Sequence, residues 1–365
     1  MLSRRGFAAM IAAGLTEAAF AQRAAVPGVA PKDTVWLNGN EFPEGPPAAS
    51  VKAMAAIIAE SNRYHYQEFP AFYAALAQNE GLLPEQILVG AGSSEVLHAA
   101  VEAFTSPSLP FITSWPTYEA APELAHFKGH PVIKIPLNDA HAADVKLLAA
   151  EAKKAGGGLI YLCNPNNPTS TITTRDDVDW LVANLPANTN LLVDEAYLHY
   201  ATSSETLTAM PYVKAGKNVI VARTFSKIYA MAGLRVGYVA APKGLIDRMA
   251  PYRNNVISIV SARAVLAALE LGPPLLQERR AKIERTRSEL CSWLSSKKIG
   301  FIPPQANFMM IETGRDAREM QSLMLAKGVA IGRPFPPMDK MIRVSIGTDA
   351  EMAKFRSTLV ELLAV

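Results

Sequence analysis

The sequence predicts an α/β protein: a mostly parallel sheet flanked by helices, followed by a smaller α+β unit. Short apolar runs of strand length alternate with helix-length segments up to residue 241, a pattern that builds parallel sheets covered on both faces. Polar residues able to carry chemistry stand directly after several of these runs, where open sheets of this kind bind their ligands. Beyond Arg253 the pattern changes to two long helical segments, 258–271 and 274–298, and then to further strand-length runs.

Taken in order, the chain starts with basic residues, a short apolar run and small residues, "MLSRRGFAAMIAAGLTEAAFAQ". That succession is a signal peptide over 1–26, and the apolar run is too short to span a bilayer. Ser3-Arg4-Arg5-Gly6-Phe7 resembles the twin-arginine export signal of bacteria, which implies a periplasmic home; a cytoplasmic location is the alternative. Residues 27–49, rich in Pro, Gly and Asn, read as an extended arm. Apolar residues then recur at helical spacing over 48–60. Strands are expected at 87–90, 109–114, 131–136, 158–164, 191–197, 219–226 and 235–241, within a large unit of 50–255. The smaller unit, 256–365, holds strand candidates in "NFMMIET" and "IRVSIG" and a closing helix from Asp349.

Composition narrows the partner. Half of the 365 residues are hydrophobic and 19% are charged, an ordinary globular mixture. A formal charge of +3, with no Lys/Arg cluster outside the N-terminus, argues against nucleic acid and for a small molecule. No second apolar run reaches spanning length, so the mature chain is expected to be free of the membrane. Cys163 and Cys291 lie far apart without C-x-x-C spacing, so neither a metal site nor a disulfide framework is expected.

Four strand ends supply the chemistry. In "LVGAGSSEVL" a strand runs into Gly92, Ser93 and Ser94 at a helix start, whose exposed N–H groups suit an anion such as a phosphate; Ser there is equally an N-cap. "NPNNPTS" forms a rigid turn after an apolar strand that can present an amide, as from Asn167, to a ring substituent. In "VDEAY", Asp194 ends a buried strand and needs a cation or a hydrogen-bond network, either a protonated ring nitrogen or an arginine. "RTFSKIYAMAGLRVGY" places Lys227 after a strand beside Thr224 and Ser226, with Arg235 further on. A lysine in a partly apolar pocket near other cations has a lowered pKa, so its neutral amine can attack a carbonyl. The neighbouring hydroxyls and arginine are what a phosphate requires.

Together these motifs resemble the fold-type I pyridoxal-phosphate enzymes, and more closely the histidinol-phosphate aminotransferase group of the class I and II aminotransferases, from about Leu37 to about Leu363. "LNGNEFPEGP" is similar to the family's Asn-x-Asn-Glu-Asn-Pro arm, and "NRYHYQEFPAF" falls where the family has Arg-Tyr-Pro. The resemblance implies an enzyme that uses pyridoxal 5'-phosphate to move an amino group between an L-amino acid and a 2-oxo acid. It makes Lys227 the Schiff-base lysine and proton shuttle, Asp194 the partner of the pyridine nitrogen, and Asn167 and Tyr197 the partners of the ring oxygen. Ser93, Ser94, Thr224, Ser226 and Arg235 would bind the phosphate, and Tyr118 would stack on the ring. Tyr64 would reach the phosphate across the interface of a homodimer. Arg343 would clamp the substrate α-carboxylate, with Asn307 in support and Arg333, in the loop "GRPFPPM", as a second candidate for an acidic group.

The sequence also departs from the family pattern. Ser170 replaces the last Gly of Asn-Pro-Thr-Gly, Ser93-Ser94-Glu95 replaces Ser-Asp-Glu, and the arm has Phe42 for Asn and Glu44 where an apolar residue is usual. If the arm closes over the substrate, Glu44 repels a phosphate, which points to an amino acid other than histidinol phosphate. Export points the same way. Histidinol-phosphate aminotransferase itself, another reaction at Cα (decarboxylation, elimination or oxidation) and a cofactor-bound sensor without turnover are the alternatives.

Overall fold

The computed structural model describes residues 30–253 and 256–364. The signal segment expected at 1–26 lies outside the described residues, as do positions 254 and 255, where the boundary between the two units was expected. A seven-stranded sheet occupies the centre, in the order β2(Ile87–Ala91), β8(Val236–Ala240), β7(Val219–Thr224), β6(Thr189–Asp194), β5(Gly158–Cys163), β3(Phe111–Trp115), β4(Val132–Pro136). β8 runs antiparallel to both of its neighbours, and the remaining pairs are parallel.

Every residue of β5, β6, β7 and β8 is buried. Helices cover both faces of the sheet, so these strands read as continuous apolar runs instead of alternating ones. Successive side chains still point to opposite faces. Ile160, Leu191, Val193, Val219 and Val221 pack in the core on one side, and Leu159, Leu192, Ile220 and Ala222 in the core on the other. Where the runs end, the backbone emerges at the carboxyl edge and delivers Tyr118, Asn167, Asp194 and Lys227 to one place.

Toward the C-terminus, the helices Ile259–Leu269 and Gly272–Ser296 lead to an antiparallel pair, β9(Phe308–Glu312) and β11(Met341–Ser345), and to the helix Asp349–Leu363. Thr348 and Glu351 close a reciprocal capping box at the start of that last helix. The sequence reading did not contain the pairing of β1(Val35–Leu37) with β10(Val329–Ile331) in parallel register. Each strand has only three residues, too few to display a period. This pair fastens the arm to the C-terminal part of the chain and fixes the course of the residues that follow.

Behind the carboxyl edge lies a buried ion network. The Arg223 guanidinium donates from Nε and Nη2 to Glu195 Oε2 at 3.0 and 2.9 Å, and from Nη1 to Glu80 Oε1 and Oε2 at 3.2 and 3.1 Å. The Tyr238 hydroxyl donates to Glu80 Oε1 at 2.7 Å, and Thr208 donates to Glu195 Oε2 at 2.8 Å. One cation thus holds two buried carboxylates and ties the helix Phe69–Glu80 to the turn after Asp194. Arg223→Met strands both carboxylates and should cost about 3–5 kcal/mol in chemical denaturation. A loss below about 1 kcal/mol would show that water already satisfies the network.

Candidate active site

Two adjoining cavities share Gly39, Tyr118, Tyr197 and Lys227. The first, about 140 Å³, is lined by Ser93, Ser94, Asp194, Thr224, Ser226 and Arg235 together with the shared residues. The second, about 330 Å³, adds Asn38, Asn167, Arg333 and Arg343.

One end of the first cavity is an anion cup. β2 enters the helix Ser93–Phe104 through Gly92, whose φ of +83° excludes most side chains. A Cβ there would stand 2.1 Å from Arg235 Nη2, so the guanidinium lies directly over the turn. Gly237 is constrained likewise: a Cβ would come within 2.2 Å of the Ser93 nitrogen. The cup therefore combines a helix N-terminus, a guanidinium and the hydroxyls of Ser93, Ser94, Thr224 and Ser226. Thr224 donates to Ser226 at 2.9 Å, and Ser94 lies 3.3 Å from the Tyr118 hydroxyl.

Asp194 lies deeper and is 2% exposed. The Tyr161 hydroxyl donates to its Oδ2 at 2.9 Å and the Ala196 N–H to its Oδ1 at 3.1 Å. Burial raises its pKa to about 6, against the pull of those two donors. Tyr161 was not read as a site residue. The signal was present, because a hydroxyl inside an otherwise apolar strand has to find a partner.

Lys227 is half-buried, its amine opening into the cavity and donating to the Gly39 carbonyl at 3.0 Å. Desolvation first, then Arg343, and Arg235 as well, lower its pKa to about 8, with Glu41 and Asp194 pulling the other way. Tyr197 stands beside it, the amine 5.6 Å from the ring centroid, and its hydroxyl accepts from Asn40 Nδ2 at 3.2 Å.

Arg343 is buried and donates to Asn167 Oδ1 at 2.7 Å and to the Asn38 carbonyl at 2.6 Å, while its Nε has no partner among the described residues. Asn167 thus presents its amide oxygen to the arginine. Arg333 pairs with Glu119, a residue the sequence reading passed over. Tyr64 is 72% exposed, stacked on Tyr66 with centroids 5.1 Å apart, and belongs to neither cavity.

Two expectations are corrected. Glu44 lines neither cavity; it pairs with Lys282 on the helix Gly272–Ser296. Asn307 is buried with its amide donating to the carbonyls of Asn40 and Glu41 at 3.1 and 3.2 Å. It anchors the arm instead of meeting a carboxylate. Ser170 explains its own departure from the family: it holds a left-handed φ of +62°, and its hydroxyl accepts from the backbone of Gln305 and Ala306 at 3.1 and 2.8 Å.

The class I and II aminotransferase profile matches residues 32–359. The chain belongs to this family. Histidinol-phosphate aminotransferase of Moorella thermoacetica is 33% identical over 91% of this aminotransferase and 86% of its own length. An aromatic amino acid aminotransferase of Cutibacterium acnes is 31% identical over 88% and 90%. The crystal structure of Sinorhizobium meliloti histidinol-phosphate aminotransferase in complex with pyridoxal-5'-phosphate superposes with a TM-score of 0.84 at 28% identity, covering 95% of this chain and 94% of that one.

The aminotransferase is a pyridoxal-phosphate-dependent transaminase, and its cavity fits that cofactor on the observations above. An anion cup shaped by Gly92, a buried carboxylate without a cationic hydrogen-bond partner among the described residues, and an amine of lowered pKa meet at one cavity.

Asp194 also yields a test on the cofactor-free protein. Its folded pKa is raised, so the ionised form is penalised in full above about pH 6, and the penalty fades as pH falls and vanishes only below about pH 3, where the group is protonated folded or unfolded. Asp194→Asn should stabilise the cofactor-free protein by about 1–3 kcal/mol at pH 8, shrinking toward zero by about pH 3 in denaturant titrations. A destabilised variant at pH 8 would show that the carboxylate is compensated.

Proposed function

We propose that Lys227 is the residue that joins pyridoxal phosphate and moves the proton at the substrate Cα, with Asp194 and Arg343 fixing the two ends of the reacting system. The observation that carries this reading is that Lys227, just after β7, lines both adjoining cavities, with Asp194 from the end of β6 in one and Arg343 from β11 in the other. Ser93, Ser94, Thr224, Ser226 and Arg235 hold the phosphate in the anion cup. Asp194 pairs with the pyridine nitrogen, which supplies its carboxylate with a cation. Tyr118 stacks on the ring, and Asn167 and Tyr197 bond its oxygen. Residues 50–255 form the unit that holds the cofactor, and 256–365 the smaller one.

Bound pyridoxal phosphate supplies an electron sink for the charge left at Cα when a proton is removed. Everything else is positioning by this chain. Arg343 exchanges its neutral acceptors, Asn167 Oδ1 and the Asn38 carbonyl, for the substrate α-carboxylate, a stronger charge-assisted pair. The Lys227 amine, neutral for much of its time near pH 8, is then a base within the same cavity.

We read the active unit as a homodimer. Tyr64 is available to reach a partner's cavity, and Ile58 and Val51 are large apolar side chains exposed nearby in sequence, 57% and 49%. Ser3-Arg4-Arg5-Gly6-Phe7 supports export to the periplasm.

Adding an L-amino acid to the purified holoenzyme should abolish the visible band of the bound cofactor, and adding a 2-oxo acid should restore it. Lys227→Ala should eliminate that cycle in a folded protein, and Arg343→Lys should raise KM for the amino acid about tenfold or more. A cycling Lys227→Ala variant contradicts the assignment. For export, the mature chain should fractionate with the periplasm, and replacing Arg4 and Arg5 by Lys should retain it in the cytoplasm; equal distribution of the two would reject the signal.

A further inference from the structure

β5 reads GLIYLC, and its one hydroxyl, on Tyr161, is fully buried. In the parallel register Cys163 stands opposite Asp194, so Tyr161, two residues earlier, lies on the same face of the sheet and reaches Asp194 along the diagonal. Its ring belongs to the apolar cluster of Leu159, Leu192 and Phe111, with the Phe111 centroid 5.7 Å away. Packing alone is served equally by a phenylalanine, which brings no polar atom into that cluster.

The hydroxyl does two things to the carboxylate. It donates to Oδ2 while the Ala196 N–H donates to Oδ1, so each oxygen has a donor, the plane of the group is fixed, and the remaining lone pairs serve the cavity that Asp194 lines. It also supports the charge. Burial works against the ionised form, and of the groups that favour that form Tyr161 acts most strongly, ahead of the Ala196 N–H and Lys227. Glu195 acts against it and is held by Arg223 behind the site, while burial keeps the Cys163 thiol and the Tyr118 hydroxyl protonated. Burial and the Asp194 charge keep Tyr161 protonated as well, so it remains a donor.

We propose that Tyr161 is a positioning residue whose hydroxyl holds the Asp194 carboxylate oriented and charged toward the cofactor's ring nitrogen. The proposal rests on the pairing of Asp194 with that nitrogen given above. Tyr161 lines neither cavity, so it acts through Asp194. A carboxylate deprived of this donor moves toward its protonated form, which supplies no charge to keep the ring nitrogen protonated. The electron sink then weakens, while the anion cup and Arg343 are untouched.

Tyr161→Phe removes only the hydroxyl. In denaturant titrations of the cofactor-free protein, its stability deficit against the wild type should be constant up to about pH 6, grow to about pH 7 and level off above, because the Asp194 carboxyl then ionises about one pH unit higher. In an Asp194→Asn background the deficit should not change with pH. With the cofactor, the wild type should prefer pyridoxal phosphate over its deaza analogue, whose ring carries a C–H in place of the nitrogen, and Tyr161→Phe should reduce that preference about tenfold. The preference is a ratio within one protein, so a general weakening of the fold cancels. In turnover, kcat should fall with KM for the amino acid unchanged.

An unchanged preference in Tyr161→Phe, or a deficit independent of pH, overturns the proposal and leaves Asp194 with the ring nitrogen. A wild type that binds both cofactors equally refutes the pairing on which the proposal rests. If Tyr161→Phe does not fold, the double variant Tyr161→Phe, Asp194→Asn decides: recovery of folding supports the hold on the carboxylate, and an unfolded double variant makes Tyr161 a packing residue and rejects it.

Discussion

The site depends on holding a half-buried lysine between two arginines, Arg235 in one adjoining cavity and Arg343 in the other. Desolvation penalises the ammonium form of Lys227, Arg343 and Arg235 penalise it further, and the result is an amine that is substantially neutral near pH 8. An isolated surface lysine is protonated almost completely at that pH. The placement of β6, β7 and β11, the Gly92 turn and the course of the arm bring these cations to two adjoining cavities that Lys227 joins.

That concentration of charge costs stability, and the fold offsets it behind the site. Asp194 is buried with hydrogen-bond donors but no cation bonded to it among the described residues, so the cofactor-free protein carries a penalty that a protonated ring nitrogen would relieve. One residue later the situation reverses. Glu195 is bonded by Arg223, which also holds Glu80, and this fully paired network fixes the turn that carries Asp194. A rigid, satisfied shell thus supports a first layer left open for ligands.

Much of this was legible in the sequence because parallel strands buried on both faces are uninterrupted apolar runs, and such runs end at the ligand side. The ends of "VIVARTFS" and "LLVDEAY" therefore announced Lys227 and Asp194. Contacts set by distant pairing were not legible. The arm's position follows from three-residue strands pairing Val35 with Val329, and without that register Glu44 and Asn307 were assigned to the substrate. In the structure Glu44 turns to Lys282 and Asn307 to the arm backbone. Glu119 gave no signal either, because its partner Arg333 lies more than two hundred residues away and acidic residues at helix starts are ordinary.

The central claim is that one amine, that of Lys227, carries the chemistry. Reducing the purified holoenzyme with borohydride and mapping its peptides by mass spectrometry tests this directly, because reduction makes the link between cofactor and lysine permanent. The pyridoxyl group should be found on the peptide containing Lys227 and on no other lysine. A label on a different lysine, or a reduced protein with no label despite bound cofactor, would contradict the account.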